Sequence, residues 1–236
     1  MGFSTLPTVT ELNGISRSDV EIDMTSVRLN YIEHLPRGEE QRGNLCSRGN
    51  QDRLTQWYCS NENPTINGLE DVLTGLELKN PENPNQMRFA INGHSSSLVQ
   101  RRTSVLNPRA VIFTQQANPG YRALGYVRGD GFAEVAAHDP VKDDINFFLV
   151  SYKKDCDPDC SNAERFLPSN ETSWKDVTIY GDEDLKNTVF DCLQCHEPQG
   201  LATGRILRMQ ELVDPWSHWF RDNRNSSTLL DQFQSA

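Results

Sequence analysis

Ala123-Leu124-Gly125-Tyr126-Val127-Arg128-Gly129-Asp130-Gly131-Phe132-Ala133-Glu134-Val135-Ala136 reads as two short apolar runs around a glycine-rich turn. The runs are strand-forming, and Asp130-Gly131 supplies residues that tolerate the positive φ of a tight hairpin. Upstream lies Ala110-Val111-Ile112-Phe113-Thr114, bounded by Asn107-Pro108 and Asn118-Pro119-Gly120. Downstream, after Asp139-Pro140, Ile145 to Tyr152 is again rich in strand formers. From Arg88 to Tyr152 the chain is therefore β in character. Four strands at this spacing predict an antiparallel sheet with short connections.

The flanks read differently. Residues 1–45 are polar with few periodic apolar positions, which predicts an extended arm or a surface wrap. Short helices are predicted over Asp52–Trp57 and Glu70–Leu78, the latter from the spacing of Leu69, Val72, Leu73 and Leu76. Asn80, Pro81, Asn83, Pro84 and Asn85 make 79–87 a turn-rich linker, and Pro168 to Glu171 a second one. Asp182-Glu183-Asp184 suits the first turn of a helix running on through Leu185, Val189 and Phe190. Arg205 to Leu212 is helical in pattern, and Asp214-Pro215 restarts a helix at Trp216. The expected class is α+β, with a polar arm and an antiparallel β-rich domain over 1–164 and a helical segment over 165–236.

Composition narrows the possible functions. The 236 residues carry a net charge of -10, which opposes nonspecific nucleic-acid binding. An acidic surface would steer a basic protein partner. Mean hydropathy is -0.63, and no stretch approaches the roughly eighteen apolar residues of a membrane span. Residues 1–25 lack a basic region followed by an apolar one, so any export signal is expected to be absent from this sequence.

Near the C-terminus stands Cys192-Leu193-Gln194-Cys195-His196. Alone, a C-x-x-C pair fits a zinc half-site, a redox dithiol or haem attachment. With Cys156 and Cys160 it would supply four thiolates for structural zinc. The histidine at the fifth position favours haem, because two thiols at this spacing can each add to one porphyrin vinyl group. The following imidazole then lies under the iron. Cys46, Cys59, Cys156 and Cys160 form an even remainder, for which three pairings are possible. Cys46–Cys59 and Cys156–Cys160 are favoured because each closes a short local loop, the second through Pro and Asp residues.

The segment resembles the c-type cytochromes over this motif and its near flanks, although the motif-first layout of small soluble cytochromes is absent. The resemblance implies one covalent haem c held by Cys192 and Cys195, iron ligation by His196, and one-electron transfer to redox partner proteins. It also implies maturation in the periplasm or outside the cell. Met209 is the expected second axial ligand, since Gly200 and Gly204 allow a return over the haem and its thioether is the only one near the motif. His218, His94 or an open position are the alternatives. An open position would suit a peroxidase-like enzyme, with His94 or Glu197 as acid–base residue. Trp174, Trp216 and Trp219 are expected to pack around the porphyrin. His94 lies in Gly93-His94-Ser95-Ser96-Ser97, which reads as a hydroxyl-rich loop bonding its own backbone.

Overall fold

A computed structural model describes residues 32–60, 64–79, 87–95, 97, 99–100, 102–114, 120–157, 159–197, 204–206 and 220–221. The chain divides into two compact units, Met1–Leu35 and Pro36–Ala236. In the first, the described residues form a turn in which the Leu35 N–H donates to the Ile32 carbonyl.

The second unit is α+β, built on an antiparallel sheet. Its strands are β1 (Met87–Asn92), β2 (Arg109–Thr114), β3 (Arg122–Tyr126), β4 (Phe132–Asp139), β5 (Asp144–Lys153) and β6 (Lys175–Gly181), with a two-residue β7 (Phe220–Arg221). The order across the sheet is β6-β5-β4-β3-β2-β1-β7. The four strands read from sequence are β2 to β5, paired as consecutive neighbours. In the β3–β4 turn the positive φ angles fall on Gly129 and Gly131, not on Asp130. Asp130 instead turns its carboxylate inward to accept the Arg102 N–H at 3.2 Å.

Register makes the two faces unlike. On one, Leu124, Tyr126, Val135, Phe148, Val150 and Ile179 pack against Leu45, Leu54, Tyr58, Val72 and Leu76. Those partners lie on or next to α1 (Gly38–Ser47), α2 (Arg53–Tyr58) and α3 (Leu69–Gly75). Asp52 caps α2, accepting from the Thr55 N–H at 2.9 Å and from Asn146 Nδ2 of β5 at 2.9 Å. Burial raises the Asp52 pKa, opposed by those hydrogen bonds. Helix α1 occupies positions where an extended arm was expected. It presents Gln41, whose Nε2 donates to the Ile179 carbonyl at 3.2 Å, and Leu45.

Two disulfides, Cys46–Cys59 and Cys156–Cys160, pair the cysteines as expected. Trp174 lies on the helix-covered face, its ring parallel to Tyr152 at 3.7 Å and its Nε1 donating to the Asn170 carbonyl at 2.8 Å. That is the face opposite the C-x-x-C-H turn, so Trp174 does not join the surroundings of the motif.

The residues after 164 contribute β6, which extends the same sheet beside β5. After the one-turn α4 (Asn162–Arg165), the helix predicted from Asp182 is likewise a single turn, α5 (Asp182–Leu185). It stops because Lys186 turns extended and Asn187 takes φ +62°, its N–H donating to Asp191 Oδ2 at 2.8 Å. Val189 and Phe190 therefore follow in a turn rather than in the helix. Residues 80–86 of the expected linker lie outside the described residues. Of the helix expected over Arg205–Leu212, Arg205 and Ile206 are described and are not helical, and Phe220–Arg221, downstream of the helix start expected at Trp216, form β7. No helix among the described residues is long and apolar enough to cross a membrane.

Candidate functional site

The motif folds as one helical turn, α6 (Leu193–His196), entered from Cys192. Asp191 builds it: Oδ1 accepts the Leu193 N–H at 3.0 Å while Oδ2 holds Asn187. The Cys192 carbonyl accepts from the N–H of Cys195 at 3.2 Å and of His196 at 3.1 Å. Upstream, Phe190 packs on Phe132 with ring centres 6.0 Å apart. Beneath the turn, Cys192 and Leu193 rest on Ala123, Ala136 and Phe147, with Phe113 and Ile145 at the margin. The two alanines let the turn approach the sheet closely.

Cys192 and Cys195 are the two cysteines outside the disulfides. Cys192 is half-buried with its Sγ 3.6 Å from the Phe190 carbonyl, and Cys195 is exposed. Burial, then the negative charges of Glu134, Asp182 and Asp191, push the Cys192 thiol well above its ordinary pKa. The His196 ring stacks on Phe147 at 4.0 Å with 23° between planes. Its Nδ1 lies 2.9 Å from the Ile206 carbonyl oxygen. A carbonyl can only accept, so the neutral ring carries its proton on Nδ1 and its lone pair on Nε2.

Next along the same face runs a polar network that the sequence did not announce. Arg109 Nη2 is 2.8 Å from Glu134 Oε2, its Nη1 donates to Ser95 Oγ at 3.0 Å, and Ser97 Oγ donates to Glu134 Oε1 at 2.7 Å. Arg109 crosses β3 where Gly125 leaves space; a Cβ there would stand 2.7 Å from Nη2. The Ser95–Ser97 segment does bond its own backbone, as expected: Ser95 Oγ accepts from the Ser97 N–H, and Ser97 Oγ from Val99 and Gln100.

Of the expected iron ligands, His196 is in the turn with both thiols. His94 is exposed just beyond β1. Met209, His218, Trp216 and Trp219 lie outside the described residues. Glu197 is 3.5 Å from Arg205 in an ion pair. Cys156 and Cys160, the other two thiols of the four-cysteine zinc alternative, are bonded to each other in this structure. Two thiols and an imidazole on one helical turn form a donor set that fits a haem joined by two thioethers. No family model, curated protein or solved structure matches the chain.

Proposed function

We propose that this protein carries one haem c on Cys192 and Cys195, ligated by His196 Nε2, and transfers single electrons outside the cytoplasm. One observation carries the reading. Four of the six cysteines are closed in local disulfides, and the two left as thiols are those of the C-x-x-C-H turn, beside an imidazole with Nδ1 engaged. When bound, haem supplies a reversible Fe(III)/Fe(II) couple.

The chain's own residues do the rest. The thiols of Cys192 and Cys195 would each add across the C=C bond of a porphyrin vinyl group, sulfur going to one carbon and the thiol hydrogen to the other, so that no oxidant is needed. The Ile206 carbonyl makes His196 a stronger donor by drawing on its Nδ1 proton. Phe147, Ala123 and Ala136 form an apolar floor that keeps water from the Cys192 side of the turn. Met209 would supply the second ligand to the iron in this reading, on its spacing from His196 and its soft sulfur. Two disulfides suit an oxidising compartment, and the charge of -10 suits a basic redox partner.

The test is export of the full chain in a host that matures haem c, followed by acid-acetone extraction and spectra before and after dithionite. Haem should stay with the protein, and Cys192→Ala with Cys195→Ala should lose it. Wild-type protein free of covalent haem overturns the proposal, as does haem retained covalently by the double variant. Met209→Ala should abolish the near-infrared sulfur-to-iron band of the ferric state. A wild-type bis-histidine spectrum would replace Met209 as ligand, and a high-spin one would favour an open position and the peroxidase-like alternative.

A further inference from the structure

After the motif, the chain returns to the sheet at Arg205. Its Nη1 donates to the Ile145 carbonyl at 3.0 Å and to the buried Asp182 carboxylate at 2.7 Å, with Asn146 Oδ1 at 3.4 Å. Its Nε stands 3.4 Å from Asp144 Oδ2 and 3.5 Å from Glu197 Oε1. Asp144, Ile145 and Asn146 open β5, Asp182 opens α5, and Glu197 directly follows His196. One guanidinium thus joins the sheet, the short helix and the exit of the motif. Its planar fork serves several acceptors at fixed angles, which an ammonium cannot do.

The consequence falls on Ile206. Its N–H donates to the His196 carbonyl at 2.9 Å, and its carbonyl accepts from His196 Nδ1 at 2.9 Å. Ile206 is 41% exposed, so apolar burial anchors it weakly. The backbone group that selects the histidine tautomer directly follows Arg205, whose ion pairs tether it to the sheet.

We propose that Arg205 is the positioning residue for His196, fixing the Nδ1–H tautomer and the direction of Nε2 through the Ile206 backbone. Its meaning for iron ligation rests on the haem reading, whereas the tautomer is a property of the chain alone. The first test is therefore ¹⁵N NMR of the full chain produced without haem, at a pH where the ring is neutral. Wild type should show a single Nδ1–H tautomer. Arg205→Met and Arg205→Lys should relax to the mixed tautomers of a free imidazole, and the Ile206 amide should exchange roughly tenfold faster or more. Circular dichroism and intact disulfides would show that the fold persists. If Arg205→Met does not fold, Arg205→Lys carries the test, because it keeps a cation beside Asp182 without the fork. A folded variant that retains one Nδ1–H tautomer overturns the proposal.

The second test uses haem-loaded protein. The variants should keep covalent haem but shift the reduction potential upward, since a weaker Nδ1 hydrogen bond makes His196 a poorer donor. An unchanged potential also overturns the proposal. A wild type that takes up no haem would defeat the functional reading and leave the tautomer result standing.

Discussion

Along β5 the side chains alternate between two unlike surfaces. Phe148, Val150 and Tyr152 enter the face that Leu45, Leu54, Leu76 and Trp174 seal, where almost every side chain is closed to water. Ile145 and Phe147 enter the other, where the small Ala123 and Ala136 receive one helical turn bearing two thiols and an imidazole. The first surface is a core and the second a platform. Concentrating apolar burial on the helix side leaves the other face able to hold a charged network and reactive sulfur without unfolding the sheet.

The sharpest way to break this comparison is to cut adjacent residues of one strand. Phe148→Ala should cost about 3–5 kcal/mol, because its cavity lies among rigidly packed neighbours. Denaturant unfolding followed by circular dichroism would measure it. Next in size is the clasp between α1 and the end of α2. Replacing Cys46 and Cys59 by alanine frees a sequence separation of 13 residues and should cost about 2–4 kcal/mol in the same assay. Opening Cys156–Cys160, with a separation of 4, should cost less, since it constrains the unfolded chain less. Equal losses from the two bridges would mean that the second holds more than its own turn.

On the platform the effects should be smaller in energy and more local. Phe147→Leu keeps apolar bulk, so its stability loss should stay under about 1.5 kcal/mol. It removes the ring stacked on His196, and the upfield ring-current shift of the His196 ring protons should vanish. If Phe147→Leu costs as much as Phe148→Ala, the division into core and platform is wrong.

What could be read beforehand follows the same division. Strands β2 to β5 announce themselves because alternating apolar residues are punctuated by Asn-Pro, Gly and Asp-Pro. Strand β6 carried a usable signal in Val177-Thr178-Ile179-Tyr180, but it follows a polar linker and precedes an acidic run that points to helix. Helix α1 gave almost none: its inward contacts come from Leu45 and from the polar Gln41 reaching a strand carbonyl, which no apolar periodicity records. An aromatic ring suits the surroundings of a porphyrin, but pairing of β5 with β6 carries Trp174 to the opposite face beside Tyr152. At the site, the thiols and the histidine are legible as spacing. The Ile206 carbonyl and the Arg205 ion pairs are not, because they arise only when the chain returns to the start of β5.

The last prediction has the smallest energetic effect and contrasts the two thiols of the platform. In haem-free protein, iodoacetamide should modify the exposed Cys195 first and Cys192 at least roughly tenfold more slowly, because alkylation requires the thiolate and an open approach. Burial and Glu134 hold Cys192 protonated, so its rate should still be climbing at a pH where an ordinary thiol, ionising near about 8.5, has levelled off. The linkage to stability runs in one direction. Below that ordinary value Cys192 is protonated both folded and unfolded, and it leaves the fold unaffected. As pH rises past it, the unfolded thiol ionises first, so this part of the stability is lost in alkali and not in acid. Cys192→Ser should therefore flatten the alkaline limb of the unfolding midpoint while leaving the neutral region nearly unchanged. Peptide mapping of the alkylated protein reads the order of modification directly. Labelling of Cys192 at the same rate as Cys195 would mean that the turn stands off the sheet, and that Ala123, Ala136 and Phe147 are not its floor.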